Sequence, residues 1–388
     1  MYLDQLIGPQ GDWVSWLVWI IFFMVFFMFY PRIMLSQIMW KLEGSARKLE
    51  QMSLLAKKSV LAEISTNPSK QVRESVDRFF EFFFIEPVTL DPYGIVKKLD
   101  HMIKNEKEKF DYFVRQAAPN MGAEKRACIQ MGLAGGIELH MIAKIVRHYV
   151  EMIKKTKSYQ IAMIIQMQLP LIEIIAKALY KGTKSLAKGE PIGDGIGPLS
   201  IARLTGSAKA KDAGDEMVVA SVKLHGRDVL LMKASGPGGR TGYPGKVLER
   251  LVKKNRVSKI ITIDAAAKLE GELTGSVAEG VGVAMGGPGV EKSYIEEAAV
   301  KHDIPVDSII VKMSSEEAIQ PMRKKLVSSY PKVEEAVKRS IQTAKKGKII
   351  IIGVGNTSGV GNGRKDAEKT AKWVDAYERR QKGKEKKD

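Results

Sequence analysis

The sequence is poor in the residues that most often announce chemistry. Its one cysteine among 388 residues, Cys128, excludes an intramolecular disulfide and any zinc site built from several thiolates. Nothing in the chain therefore requires an oxidising compartment, and Cys128 reads as a small buried residue on a helix. Histidine numbers five. His140 and His148 fall about two helical turns apart, but no carboxylate joins them at a ligand spacing, so they read as packing or surface residues. Named phosphate-binding motifs are missing too. In the P-loop pattern G-x-x-x-x-G-K, Arg240 stands where the first glycine belongs ahead of Gly245 and Lys246. The stretch GVGNTS from Gly353 lacks the third glycine of the dinucleotide fingerprint, and no strand follows to bring a ribose-binding acid.

What is present is positive charge and one long apolar run. With 62 Lys and Arg against 44 Asp and Glu, the net charge is +18. That excess favours an anionic partner, whether lipid headgroups, nucleic acid or the ribosome surface. The basic end, residues 376–388, reads as an exposed, disordered tail. Residues Trp13 to Tyr30, WVSWLVWIIFFMVFFMFY, are uncharged, and as a helix they span about 27 Å, close to the hydrocarbon thickness of a bilayer. Aromatic rings mark both ends. A cleaved signal peptide would carry basic residues before the run, whereas here Asp4 and Asp12 precede it and Arg32, Lys41, Arg47 and Lys48 follow. The expectation is a single transmembrane helix within residues 1–31, in the cell membrane, its N-terminus outside and the rest cytoplasmic by the positive-inside rule.

Residues 32–188 read as an all-helical region. Leu35, Ile38, Leu42, Leu49, Met52, Ala56 and Val60 recur at helical spacing, a stripe that packs on protein or lies along anionic lipid. Helical patterns continue over Ser69–Phe84, Pro92–Gln116 and Ala123–Lys155, the last with a bend expected at GLAGG. Tyr159–Tyr180 is long and apolar but contains Glu173, Lys177 and Pro170. Charges near the middle of a span are costly, so this segment is expected to be a buried soluble helix kinked at Pro170.

From about Gly189 to residue 375, β-rich runs alternate with helical ones. EMVVASVKL, RDVLLMKAS, KIITIDAA, GVGVAMG, DSIIVKM and KIIIIGVG read as strands of a mostly parallel sheet in a three-layer α/β domain. Such sheets hold ligands beyond the carboxyl ends of their strands. Four glycine-rich loops occupy that position: GDGIGPL, SGPGGRTGYPG, GGPGVEK and GVGNTSGVGNG. Glycine lets backbone amides approach a ligand and helix N-termini favour anions. The candidate binding residues are Gly193, Gly195, Gly197, Arg240, Lys246, Gly287, Gly289, Lys292, Gly355 and Asn356, and tight turns in a compact sheet account for the same glycines equally well.

GDGIGPLSIARL resembles the D-G-x-G-P-L helix start of hydrogenase maturation proteases and of the related spore-germination endopeptidase-like family, and KIIIIGVGN resembles their first strand and G-x-G-N turn. In those families the strand directly precedes D-G-x-G. Here it closes the domain, so the resemblance implies a circular permutation that brings Gly353–Gly361 beside Gly193–Gly197. It also implies that Asp194 and Asp264, the latter ending IITID, are catalytic and hold one divalent metal ion. No histidine stands at the third ligand position, since His225 and His302 lie elsewhere in the pattern. Read as residues alone, Asp194 caps the following helix and Asp264 ends a strand in a turn. Over nearly its full length the chain resembles an archaeal membrane-anchored family known as domain of unknown function 1512. The expected functions are a domain that binds an anionic ligand or acts as a metal-dependent hydrolase or peptidase, or, alternatively, a non-catalytic scaffold or adaptor. The scaffold would dock on anionic lipid, nucleic acid or ribosome, or join a membrane-complex partner.

Overall fold

The computed structural model describes residues 12–88, 90 and 93–385. Contacts divide the chain into two units, one of residues 1–53 and 140–176, the other of residues 54–139 and 177–388. Among the described residues three helices are long and apolar enough to cross a membrane, within Ser15–Ile64, Ala123–Thr156 and Tyr159–Lys188.

The first unit is helical. It takes the leading part of α1 (Asp12–Ile64), the second half of α4 (Ala123–Thr156) and the first half of α5 (Tyr159–Lys188). From Trp16 to Tyr30 the large apolar side chains of α1 project outward, unburied by any part of the protein. Beyond Tyr30 the helix buries Ile38, Leu42, Ala46 and Leu49, so the stripe packs on protein. Charge fixes the register of the three helices. Arg147 Nε and Nη2 donate to the two carboxylate oxygens of Glu50 at 2.6 and 2.9 Å, and Nη1 donates to Glu43 at 2.9 Å. Ser45 Oγ and Lys48 Nζ donate to Glu173 on α5 at 2.7 and 2.9 Å. The expectation of a buried Tyr159–Tyr180 helix fails here. Met163, Ile164, Met167, Leu171 and Ile174 are 46 to 75% exposed, because α5 meets neighbours on one side only. The helix runs on through Pro170.

In the second unit, the remainder of α1, α2 (Lys70–Phe79), α3 (Ile95–Ala117) and the adjoining halves of α4 and α5 enclose a core around Val60, Val76, Phe80, Phe110, Ile129 and Leu133. GLAGG is a contact surface within one continuous α4. A Cβ on Gly132 would sit 2.7 Å from Ala187 Cβ, one on Gly135 2.9 Å from Thr183 Oγ1, and one on Gly136 2.8 Å from the Phe80 ring. Absent side chains let the helix axes approach.

The rest of this unit is an α/β domain. After a short 3-10 turn, Gly193–Gly195, come α6 (Ile196–Leu204), β1 (Lys211–Gly214), β2 (Met217–Leu224), β3 (Arg227–Ala234), α7 (Pro244–Lys254), β4 (Val257–Ala267) and β5 (Val277–Val281). Then follow α8 (Val290–Lys301), β6 (Val306–Met313), α9 (Ser315–Ile319), α10 (Lys324–Val327), α11 (Tyr330–Gln342), β7 (Lys348–Gly353) and α12 (Arg364–Glu385). The sheet order is β1-β2-β3-β7-β4-β6-β5. β3, β7, β4 and β6 run parallel, while β2 and β5 run antiparallel to their neighbours. β7 shows why three layers form. Ile349 and Ile351 enter a core with Leu199 of α6, Val333 of α11 and Val374 of α12. Ile350 and Ile352 enter the opposite core with Leu248 of α7 and Ile295 of α8. Alternating side chains bury both faces, each isoleucine contributing about 1.5 to 3 kcal/mol relative to exposure.

Three expectations shift. The strand read at Gly280–Gly286 lies earlier, at β5, because Gly282 (φ 96°) turns the chain out of the sheet. β1 is an unforeseen edge strand, turned into β2 through Asp215 and Glu216 at φ 51° and 57°, without the usual Asn-Gly signal. The basic end is not a disordered tail up to Glu385: it continues α12, where Trp373 stacks on Tyr377 at 5.1 Å. Residues 386–388 lie outside the described residues.

Candidate functional site

The carboxyl ends of β3, β7 and β4 open onto a cavity of about 580 Å³. Its walls are the loops after those strands and the turn before α8, and its roof is α3 and α4, through Ile103, Phe110, Met131 and Ala134. Asp194 and Asp264 both line it. Asp264 stands at the buried end of β4, where its Oδ1 accepts from the Ala265 N–H at 2.7 Å. Asp194, in the turn before α6, does not cap that helix. Its Oδ2 accepts from the N–H of Asn356 in the loop after β7, at 2.7 Å. The loops 193–197 and 353–361 thus lie side by side. A Cβ on Gly355 would meet the Asp194 carbonyl at 2.1 Å, and one on Gly197 the Val354 carbonyl at 2.2 Å.

Burial raises the affinity of Asp194 for a proton. Burial, and then the negative charge of Asp194, push Asp264 up to about 8. Neither acid has a Lys or Arg partner among the described residues. Two carboxylates in one low-dielectric site cannot both ionise cheaply, so near neutrality the pair retains at least one proton and titrates as a unit.

The rim is acidic. Asp100, Glu106, Glu216 and Glu291 join the two aspartates in lining the cavity, against Lys107 and Arg240. Glu291 Oε2 accepts from the Gly245 N–H at 2.7 Å, capping α7, while Oε1 is buried without a partner among the described residues. Desolvation raises the Glu291 pKa. The bases expected to bind an anion are already engaged. Arg240 donates to Glu124 at 2.8 Å, Lys246 to Asp100 at 3.4 Å, and Lys292 pairs loosely with Glu296 at 3.9 Å.

Of the residues anticipated from sequence, Asp194, Asp264, Arg240, Gly287, Gly289 and Gly355 line the cavity. Gly193 and Gly197 do not, and serve backbone packing. A Cβ on Gly193 would lie 2.0 Å from the Glu317 carbonyl, and one on Gly197 2.4 Å from that of Ile263. Gly195 packs on the Asn356 carbonyl, at 3.0 Å from a built Cβ. Asn356 acts behind the wall, and Lys246 and Lys292 face elsewhere. Sequence reasoning missed Asp100, Glu216 and Glu291. The one signal available was Asp100, a carboxylate on the inward side of an amphipathic helix, buried to 8% exposure.

The pair does not fit a retained metal ion. Among the described residues no third His, Cys, Asp or Glu joins it, and a closed site takes at least about three protein ligands. What the arrangement offers is a proton-sharing pair of carboxyl groups lining the same cavity.

Residues 16–189 match the family described as protein of unknown function (DUF1512), N-terminal domain, and residues 192–361 match the DUF1512 C-terminal domain. Among curated proteins none matches the chain. With both domains matched over most of its length, the chain belongs to the DUF1512 family.

Proposed function

We propose that the protein is a membrane-anchored hydrolase whose acid pair cleaves an amide or ester bond in an uncharged or amine-bearing substrate. The observation that carries this is the placement of Asp194 and Asp264, unpaired with any base among the described residues, in one cavity at the strand ends. With one proton between them, the carboxylic acid donates to the substrate carbonyl oxygen while the carboxylate takes a proton from water. The water oxygen bonds to the carbonyl carbon. As the tetrahedral adduct collapses, the carbon–nitrogen or carbon–oxygen bond breaks, the proton taken from water leaves with the departing group, and one hydroxyl proton of the adduct returns to the carboxylate that first donated, restoring the pair. The Asn356 and Ala265 N–H groups hold the carboxylates in place. Six acids against two bases around the cavity, and the bare Glu291 Oε1, favour a substrate that brings hydrogen-bond donors or positive charge. The adjacent loops 193–197 and 353–361 also support the permuted peptidase-like reading.

Anchoring rests on residues 13–30 alone. The glycine face of α4 packs on Phe80, just after α2, and on α5, and α5 carries Glu173 in contact with Ser45 and Lys48. Ion pairs of that kind belong in water or the headgroup layer. We therefore read one span, N-terminus outside, with the α/β domain in the cytoplasm.

The test is turnover of a fluorogenic panel of peptide amides and esters, basic and neutral, by the full chain in detergent or nanodiscs. Asp264→Asn and Asp194→Asn should each lower kcat/KM by about 100-fold or more. Turnover should fade above pH 8, where the pair loses its proton. A wild-type chain inert to the whole panel, or an Asp264→Asn variant as active as wild type, overturns the reading.

A further inference from the structure

We infer that the first unit carries a binding site for one anionic phospholipid headgroup, at the point where α1 leaves the membrane; this rests on the single-span reading above. A cavity of about 880 Å³ lies there, between α1 and the α4–α5 turn. Arg32, Trp40 and Glu43 line it from α1, and Lys154, Lys157 and Tyr159 from the turn.

Its place along the helix argues for lipid. At 1.5 Å per residue, Arg32 lies about 3 Å and Ser36 about 9 Å beyond Tyr30. A headgroup layer is roughly 5 to 8 Å thick on each side of the bilayer. The cavity therefore begins in that layer. Arg32 and Ser36 thus set the mouth of the cavity at headgroup depth, while Trp40, 80% exposed and about 15 Å beyond Tyr30, stands past that layer.

Charge selects the headgroup. Glu43 is the one lining acid, and it is neutralised by Arg147 Nη1 at 2.9 Å and Lys154 Nζ at 3.0 Å. Lys154 is spent on Glu43 and Glu151. Among the described residues Arg32 and Lys157 have no acidic partner, so they remain to meet a phosphate. Lys157 also holds the left-handed position that ends α4, with φ 55° and its N–H on the Ile153 carbonyl at 2.8 Å. Glycine is the favoured residue there, and here a lysine occupies it against its backbone preference.

That last point supplies a variant that need not harm the fold. Lys157→Gly relieves the backbone while removing one of the two free charges, and Arg32→Gln removes the other. The full chain, purified in mild detergent, is presented with equimolar phosphatidylglycerol and phosphatidylcholine and examined by native mass spectrometry. Wild type should retain one phosphatidylglycerol with about thirtyfold preference, as expected for two basic groups at a membrane surface at about 1 kcal/mol each. Lys157→Gly should melt at or above the wild-type temperature yet lose most of that preference, and the double variant should lose it all. Glycerol phosphate at millimolar concentration should not displace the lipid, since the acyl chains hold it as well. Equal retention of the two lipids, retention unchanged in the double variant, or displacement by glycerol phosphate overturns the lipid site. If alkaline carbonate releases the chain from membranes, the anchoring reading falls and the site with it. If the chain stays in the membrane without anionic preference, the site alone falls.

Discussion

Asp264 keeps its proton to about pH 8 in the folded chain, whereas an unfolded aspartate releases it near pH 3.9. Between those values unfolding sheds a proton, so stability falls as pH rises through the window and is level above it. Asp264→Asn should remove that slope, matching wild type near pH 4 and melting several degrees higher at pH 8. Lys233 has the opposite sign. Burial pushes its ammonium down to about 7 although the Ala234 carbonyl and Asn362 Oδ1 accept from it at 2.7 and 3.0 Å. An unfolded lysine stays charged to about pH 10.4, so this group's contribution rises with pH from about 7 to 10. Lys233→Met should abolish the alkaline rise in melting temperature and leave the acid limb untouched. Circular-dichroism melts across pH 4 to 10 check both, and two variants with the wild-type profile would show that neither group titrates as described.

At the scale of elements, glycine has two meanings that substitution separates. Gly132→Ala gains about 1 kcal/mol of helix propensity but thrusts a Cβ to 2.7 Å from Ala187, where overpacking costs about 1 to 3 kcal/mol. The net effect should be destabilising. Gly44→Ala meets nothing within 4 Å and should stabilise by about 1 kcal/mol. Thermal melts of the pair, opposite in sign, test whether α4 and α5 approach as closely as described. Much of the element order was legible in sequence, because β3, β4, β6 and β7 are short apolar runs set off by polar or turn residues, glycine on both sides of β3 and β7. Asp194 and Asp264 were legible through their motifs. The edge strand β1 was not, since Asp215 and Glu216 turn without a turn signature. Nor were the roof and rim, because Asp100 and Glu291 reach the cavity only through tertiary packing of helices distant in sequence.

At the scale of the whole molecule, the outward face of residues 16–30 argues for integral anchoring. A C-terminal epitope should resist protease in right-side-out vesicles and be digested in inverted ones, and the reverse pattern would invert the topology. The strand order carries a consequence for biosynthesis. β3 and β4 never pair with each other, and each finds its inner neighbour in β7, the last strand to leave the ribosome. Until residues 348–353 emerge, the nascent chain holds two half-sheets with a vacant slot between them. Asn356, which clamps Asp194, arrives later still. An unfinished polypeptide therefore cannot fix Asp194 against the loop after β7, so the cavity at the strand ends closes only when the chain is nearly complete.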